Sequence, residues 1–499
     1  MATRRNFLQR AAQFGGALAL PPLARSAQPA ATAPPDQPGV LVNDVQSQLN
    51  ATTVRRIIEP TSIDDLQAYF VVARVNQLAV SICGGRHAMG GQQFGRDTLL
   101  FDLRKLTRVS SFDKTLGHIT VGAGIQWPEL IDYLHRAQPN ERAPWSIREK
   151  QTGVDRVTLA GSLSSNTHGR RLNAPPIVGD VESFVLVTAD GKVRTCSRRE
   201  NQELFSLAIG GYGLFGAIAE VTLRLERRTK VERIVDVIAV KDLLPAVDDR
   251  LRQDFVWGDC QYSTDLDTDA DAHQGVFSCY RPVAPETPLA AETKRLSGDD
   301  WRELYRLART DKKRAFQCYS DYYRTTSGQI YWSDTHQLAG AFDDYRQAVD
   351  PKSGTELITE VYVRRDAFVP FLADVRRDFL EHKVDMTYGT IRFIQRDVDS
   401  FLPWAVEDSV CIVCNLHVTH TEQGKAKAAA DFRRIITRAI QHRGRYYLTY
   451  HRFADRKQVE SCYPKFTEFL KLKRKYDPQE RLQSDWYRHY RTMFADLLG

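Results

Sequence analysis

The chain has 499 residues, and its 69 Lys and Arg against 62 Asp and Glu give a formal charge of +7 at pH 7. Apolar residues make up 42% and charged residues 26%, a globular balance that excludes a mostly disordered or collagen-like chain. The length is enough for roughly two to four domains with full-sized cores. No run approaches ~18 uninterrupted apolar residues, so no transmembrane helix is predicted. The basic residues are scattered rather than gathered into stripes, which argues against a nucleic-acid partner.

At the N-terminus, Thr3-Arg4-Arg5-Asn6-Phe7-Leu8-Gln9 precedes a weakly apolar stretch from Ala11 to Leu23, then Ala24-Arg25-Ser26-Ala27. A positive start, a short apolar core and small residues describe an export signal, and the paired arginines resemble the bacterial twin-arginine type. The sequence therefore predicts a removable leader over residues 1–28, transient engagement of the twin-arginine export machinery and a periplasmic location. Residues 1–28 hold Arg4, Arg5, Arg10 and Arg25 and no acidic residue, so the remainder carries only +3. Pro29 to Pro38 is Ala/Pro-rich and opens a linker over residues 29–48.

From about residue 53 to 227, short β-branched runs alternate with helical patterns and glycine-rich turns. Strands are predicted at Leu78–Cys83, Thr98–Asp102, His118–Val121, Val181–Thr188 and Ala217–Leu225, and helices at Ile63–Asn76 and Trp127–Ala137. Beyond residue 230 glycine thins out. Strands are predicted at Val231–Val240, Gln274–Tyr280, Glu356–Val363, Met386–Ile394 and Val410–His420, with helices at Ala367–His382, Lys425–His442 and Pro464–Lys475. Two strand–helix–strand units there predict one sheet with helices on one face; Ala284 to Asp350 has no clear period. Eight cysteines are too few for a disulfide scaffold. Cys411 and Cys414, like His417 and His420, lie three apart on one strand and point to opposite faces, so no metal site is predicted.

Four glycine-rich segments follow in order: Gly84-Gly85-Arg86-His87-Ala88-Met89-Gly90-Gly91, Gly122-Ala123-Gly124, Gly161-Ser162-Leu163-Ser164-Ser165-Asn166-Thr167-His168-Gly169, and Gly210-Gly211-Tyr212-Gly213-Leu214-Phe215-Gly216. Glycines at this density let backbone N–H groups approach an anion, and four such segments predict a long ligand threaded through the domain. None is the helix-opening G-x-G-x-x-G or a Walker loop, which weakens an NAD or ATP reading.

The series resembles the FAD-binding domain of the vanillyl-alcohol oxidase/p-cresol methylhydroxylase (PCMH) superfamily. Gly85-Arg86-His87-Ala88 matches its G-x-G-H-S phosphate loop with Ala for Ser, and the order and spacing of all four segments agree over residues 50–227. Trp145 to Gln151 is similar to the S-I-x-x-Q segment of aldonolactone oxidoreductases, as are Tyr463-Pro464-Lys465-Phe466 and Lys475-Tyr476-Asp477-Pro478. The resemblance implies an α+β fold: a two-subdomain PCMH-type FAD domain over 49–228, an α+β substrate (cap) domain with an antiparallel sheet over 229–455, and a C-terminal segment over 456–499 returning to the FAD domain. It implies FAD, with Gly84 to Gly91 around the pyrophosphate and Gly124, Gly161, Ser162, Ser165, His168, Gly169, Gly216 and Ile218 along the cofactor. His87 stands where many members bond the flavin 8α-methyl, and imidazole is a competent nucleophile for that step. Ala123 lies where the family holds a small residue near the reactive flavin carbon; oxidase and dehydrogenase both stay open.

Substrate in this superfamily lies between the flavin and the second-domain sheet. Tyr388, Thr390 and Arg392 alternate on one predicted strand face, as do Asn415, His417 and Thr419, and Glu360 and Tyr362 form a third pair. Arg392 matches the arginine of the family's E-x-R element, but Thr390 replaces its glutamate. Tyr450-His451-Arg452-Phe453-Ala454 stands for the H-W-x-K element without its lysine. His417 and His451 are the candidate bases, with Arg392 and Tyr450 beside them. The expected activity is oxidation of a C–OH group on a small polar substrate by hydride transfer to flavin N5. Oxygen, a quinone or a cytochrome would be the electron acceptor. The other readings are oxidation of an amine or aromatic alcohol, and a flavin-binding protein without turnover.

Overall fold

The computed structural model describes residues 39–267, 273–290, 292–339 and 354–499. The predicted leader and residues 29–38 of the linker lie outside the described residues, as does part of the stretch from Ala284 to Asp350.

Residues 39–48, within the predicted linker, are built into the fold. β1 (Val40–Val42) pairs antiparallel with β2 (Thr52–Val54), and Asp44 Oδ1 accepts the backbone N–H groups of Gln46 at 3.1 Å and Gln48 at 3.0 Å. Backbone pairing and burial of Val42 hold β1, and the Asp44 side chain holds the turn after it; a three-residue strand is too short to show a hydrophobic period. β3 (Arg56–Ile58), β4 (Val80–Cys83) and β5 (Leu99–Asp102) form a parallel sheet in the order β3-β5-β4. Parallel pairing needs a crossover. Helix Ile63–Val75 supplies one, capped by the Ser62 hydroxyl and burying Leu66, Phe70 and Ala73.

β6 (Val109–Asp113), β7 (His118–Gly122), β8 (Trp145–Ser146), β9 (Val181–Val187), β10 (Val193–Ser197), β11 (Ala217–Arg224) and β12 (Glu226–Arg227) complete the N-terminal half. Five of them make an antiparallel sheet in the order β10-β9-β11-β7-β6, and β8 pairs with β12. Helix Leu159–Ser165, capped by the Thr158 side chain, runs between the two lobes and delivers the third glycine-rich segment.

The remaining strands are β13 (Lys230–Ala239), β14 (Trp257–Tyr262), β15 (Gln274–Pro282), β16 (Ile330–Trp332), β17 (Thr355–Arg364), β18 (Met386–Ile394), β19 (Ser409–Val418) and β20 (Arg445–Tyr446). They form one antiparallel sheet in the order β16-β13-β15-β14-β18-β19-β17-β20. Alternation divides it into two faces. Helices Phe368–Glu381 and Glu422–Gln441 bury Phe371, Val375, Phe432 and Ile435 on one side. The other face carries Glu356, Ile358, Glu360, Tyr388 and Arg392 toward a cavity. A second helical pair, Gly298–Thr310 and Lys312–Arg324, lines the same cavity, so helices flank both faces rather than one. Trp301, Tyr305, Tyr319 and Tyr323 carry the inward face of that pair, which hides its helical period among charged and aromatic residues.

The segment after residue 455 packs on the N-terminal half. Val80 N–H donates to Arg481 O at 2.7 Å and Gln483 N–H to Val80 O at 2.8 Å, while Trp486 stacks on Tyr212 and Phe469 on Phe215.

Candidate active site

A cavity of about 1100 Å³ lies between the glycine-rich loops and the cap sheet. It is lined by Gly84, Gly85, Arg86, His87, Ala88, Met89, Gly161, Ser165 and His168 on one wall and by Arg392, His417 and Tyr450 on the other. Gly90, Gly91, Gly124, Ser162, Gly169, Gly216, Ile218 and His451, also singled out from sequence, do not line it.

The loop wall is mostly backbone. A Cβ on Gly84 would fall 2.1 Å from Thr158 Oγ1, and one on Gly85 would fall 2.3 Å from Arg156 O. Any side chain there would push the loop off the cap of helix Leu159–Ser165. Arg86 takes a left-handed conformation (φ 62°) and its guanidinium reaches Asp102 Oδ2 at 3.0 Å at the end of β5. Asp102 is buried, which opposes its ionisation, but hydrogen bonds and charge from Arg104 and Arg86 hold its carboxyl below the usual range. Gly124, Gly169 and Gly216 support the wall from behind. Cβ atoms there would meet Leu103 O at 1.8 Å, Lys150 O at 2.4 Å and Val187 O at 2.7 Å. Gly90 and Gly91 pack on Gln92 and Arg452. Ser162 lies behind the wall with its hydroxyl 3.1 Å from Gln151 Oε1, and Ile218 is buried in β11.

The sheet wall is mostly side chain. Glu360 on β17 accepts from Tyr362 at 2.8 Å and Tyr450 at 3.0 Å, meets His168 Nε2 at 3.1 Å, and lies 3.7 Å from Arg392 Nη1. Burial works against its charge, yet His168, Arg392 and the Tyr362 hydroxyl keep its carboxyl below the ordinary value. The Tyr450 hydroxyl is pushed well above its ordinary value, first by burial and then by Glu360, so it stays a donor. Register explains the carboxylate missing at Thr390. Glu360 pairs with Val413, and Val413 pairs with Thr390, so Glu360 occupies the same row two strands away.

His417 on β19 sets Nδ1 3.2 Å from Glu356 Oε1. Its Nε2 is buried without a hydrogen-bond partner among the described residues, on the cavity wall. A carboxylate at Nδ1 favours the tautomer with hydrogen on that nitrogen, leaving Nε2 as an acceptor. His451 is different. It is 2% exposed, packed among Phe432, Phe453 and Tyr446 on the helix side, and burial lowers its pKa to about 3. Alternation and residue type do not separate these two histidines; what each packs against does, His417 lining the cavity and His451 lying among aromatic rings.

Residues lining the cavity carry buried polar atoms without a hydrogen-bond partner among the described residues, including Arg86 Nε, Thr167 Oγ1, Arg170 Nε, Ser278 Oγ, Arg392 Nε and His417 Nε2. Such groups cost free energy unless a ligand or water satisfies them. Unpartnered donors, backbone exposed at Gly84 and Gly85, and a long cavity together fit a large polar cofactor on the loop wall. His168 and Arg392 on that cavity were legible in sequence; Arg170, one residue past the third glycine-rich segment, was not. The contribution of Glu356, Arg233 and the helical pair was not, because it depends on register and packing.

A glycine-looped, two-lobed domain facing a capping sheet across a ligand-sized cavity defines a cofactor domain with a substrate cap. Residues 54–197 match the family described as FAD binding domain. That part of the chain is an FAD-binding domain of the PCMH type, and its cofactor is FAD. The chain is similar to L-gulonolactone oxidase of Bos taurus, 26% identical over 203 residues, covering 40% of this chain and 44% of that protein. It is 30% identical over 174 residues to the mitochondrial L-galactono-1,4-lactone dehydrogenase of Arabidopsis thaliana, covering 35% and 27%. It is 28% identical over 192 residues to cytokinin dehydrogenase 4 of Oryza sativa subsp. japonica, covering 36% and 35%. The matches thus span less than half the length of these relatives.

Proposed function

We propose that the protein is an FAD-dependent oxidoreductase that oxidises a C–OH group on a small polar substrate held between the loop wall and the sheet wall. The His417–Glu356 pair, lining the cavity and with His417 Nε2 buried without a partner among the described residues, carries this reading. Oxidation of C–OH removes a hydride and a proton, and bound FAD supplies the acceptor for the hydride. His417 Nε2 takes the hydroxyl proton while Glu356 holds the ring's orientation and stabilises the imidazolium formed. Arg392, held beside Glu360, donates to the substrate oxygen as negative charge develops, and Tyr450, whose one hydroxyl hydrogen goes to Glu360, fixes that carboxylate. Lactone and sugar-alcohol chemistry, as in the names of two of the relatives, fits these donors. Anaerobic mixing of the holoprotein with sugars, lactones, alditols, amines and aromatic alcohols tests it. Bleaching of the flavin band near ~450 nm by a polar hydroxyl compound is expected. Bleaching by amines or aromatic alcohols alone, or by none of the panel, would contradict it. Readmitting oxygen, then a quinone or a cytochrome, identifies the electron acceptor.

We further propose that His87 bonds the flavin covalently. It lines the cavity two residues after the Gly84-Gly85 cradle, where an imidazole nitrogen would bond the flavin 8α-carbon, the methyl C–H and imidazole N–H protons leaving to water and the two electrons left on the flavin passing on to its electron acceptor. Acid-precipitated protein should stay yellow, and His87→Ala should release its flavin into the supernatant. Release from the unsubstituted protein would defeat the assignment. Export on residues 1–28 to the periplasm is likewise proposed. An Arg4→Lys, Arg5→Lys precursor should stay in the cytoplasm, and unimpaired export would contradict it.

A further inference from the structure

Beside the helical pair, the cavity wall carries a second polar cluster built around Tyr280. The Arg170 guanidinium lies 5.1 Å from the Tyr280 ring centre and that of Arg233 lies 5.0 Å from it. The His336 ring stacks on the same tyrosine at 4.3 Å. Arg233 donates to the Tyr280 hydroxyl at 2.8 Å and to Thr326 Oγ1 at 3.1 Å, and Arg170 donates to His336 O. These acceptors are neutral. Among the described residues, neither arginine has a carboxylate partner within ion-pair distance, although both line the cavity.

The remaining groups there are donors too. Arg170 Nη2 faces His336 Nδ1 at 3.5 Å, and a guanidinium can only donate, so the ring carries its hydrogen on Nε2. Burial, then the charges of Arg170 and Arg233, hold His336 well below its ordinary pKa and keep it neutral. His336 Nε2 and Ser278 Oγ, on residues more than nine-tenths buried, have no partner among the described residues and lie on the cavity wall, as does Arg170 Nε. Of the Arg and Lys side chains that line the cavity, Arg86, Arg302, Arg306, Arg309, Lys312 and Arg392 pair with carboxylates, whereas Arg170 and Arg233 have none at ion-pair distance among the described residues. A buried positive charge without a counter-ion is costly, and donors outnumbering acceptors select an acceptor ligand. Asp259 lies within electrostatic reach of both Arg170 and Arg392, which brings this cluster into the same compartment as the oxidising end.

We propose that the substrate is an acid: a hydroxyl-bearing carboxylate, of the sugar-acid class, whose carboxylate sits on Arg170, His336 and Ser278 beside Arg233 while the carbon to be oxidised lies at His417 and Arg392. This rests on the oxidoreductase reading above and specifies its substrate class. It differs from a neutral lactone or alditol in placing a full negative charge at the Tyr280 end.

The test uses the FAD-loaded protein and two readouts: anaerobic flavin bleaching, and tryptophan fluorescence, since Trp257 packs on His336 and Trp301 lines the cavity. The probes are six-carbon aldonates and uronates, the alditol and neutral lactone of the same length, and the matching sugar phosphate. Aldonate or uronate should bind at least about 10-fold more tightly than the alditol, the range of a charge-assisted hydrogen bond. Arg170→Gln should collapse that ratio toward one, and Arg170→Lys should retain part of it; Ser278→Ala, a smaller perturbation, should narrow it if Arg170→Gln fails to fold. Equal or tighter binding of the alditol or lactone, or tighter binding of the phosphate, would overturn the proposal while leaving oxidation intact. Carboxylate binding by fluorescence with no bleaching by any probe would uphold the acid site and defeat the oxidoreductase reading.

Discussion

The two walls of the cavity are built by opposite means. The loop wall offers backbone: Gly84 and Gly85 are seated so closely on Thr158 and Arg156 that no side chain fits. The sheet wall offers side chains, with Glu360, Arg392 and His417 projecting from β17, β18 and β19 at positions set by register. A backbone wall can hold one cofactor and tolerates little change; a side-chain wall on a rigid sheet can be rewritten residue by residue. The difference separates two roles, retention of flavin and treatment of substrate.

Variants on either wall sharpen or break that division. The largest effect is expected from Gly84→Val. Its Cβ would collide with the Thr158 hydroxyl that caps helix Leu159–Ser165 through Gly161 N–H at 3.1 Å. The purified variant should lack most of its flavin absorbance, and a normal flavin content would break the backbone-wall account.

A moderate effect is expected behind the loop wall. Glu149 is buried, and burial raises its carboxyl from 4.5 to about 7, offset in part by the Arg171 N–H at 2.6 Å. A raised carboxyl favours folding fully only below its unfolded pKa. As pH climbs from about 4.5 to about 7, the unfolded chain ionises Glu149 first and stability is lost. Glu149→Gln keeps an acceptor for Arg171 and should gain roughly 1–3 kcal/mol over the unsubstituted protein at pH 8. The gain should fade toward pH 4.5, as checked by thermal melts across that range. A gain independent of pH would show that Glu149 is not the titrating group.

The smallest effect is expected at His451. His451→Phe should leave flavin content unchanged and flavin reduction within about 2-fold, because its ring sits in an aromatic stack on the helix side of the sheet. A large loss of reduction rate would place it back among the catalytic candidates.

Much of the loop wall was legible in sequence because glycine spacing is a local signal. Gly84 and Gly85 are needed where the loop passes against the Thr158 side chain and the Arg156 carbonyl, and such needs appear in order along the chain. Strands such as Met386–Ile394 were legible from alternation alone. The cap site was only half legible. Alternation put Glu360, Arg392 and His417 on strand faces, but it could not say that Glu360 shares a row with Thr390 across Val413. Nor could residue type distinguish His417, which lines the cavity, from His451, which is packed among aromatic rings. The helical pair over the cavity was hidden because its inward face is tyrosine and tryptophan among many charges, and β1 because three residues are too few to show a period.

The division of labour is tested most directly by His417→Asn, measured as flavin content and as the single-turnover rate of anaerobic flavin reduction by a substrate found in the panel. The account predicts unchanged flavin absorbance with a reduction rate lowered about 10²–10⁴-fold, the loss of a general base. An unchanged reduction rate, or loss of flavin together with rate, would contradict it.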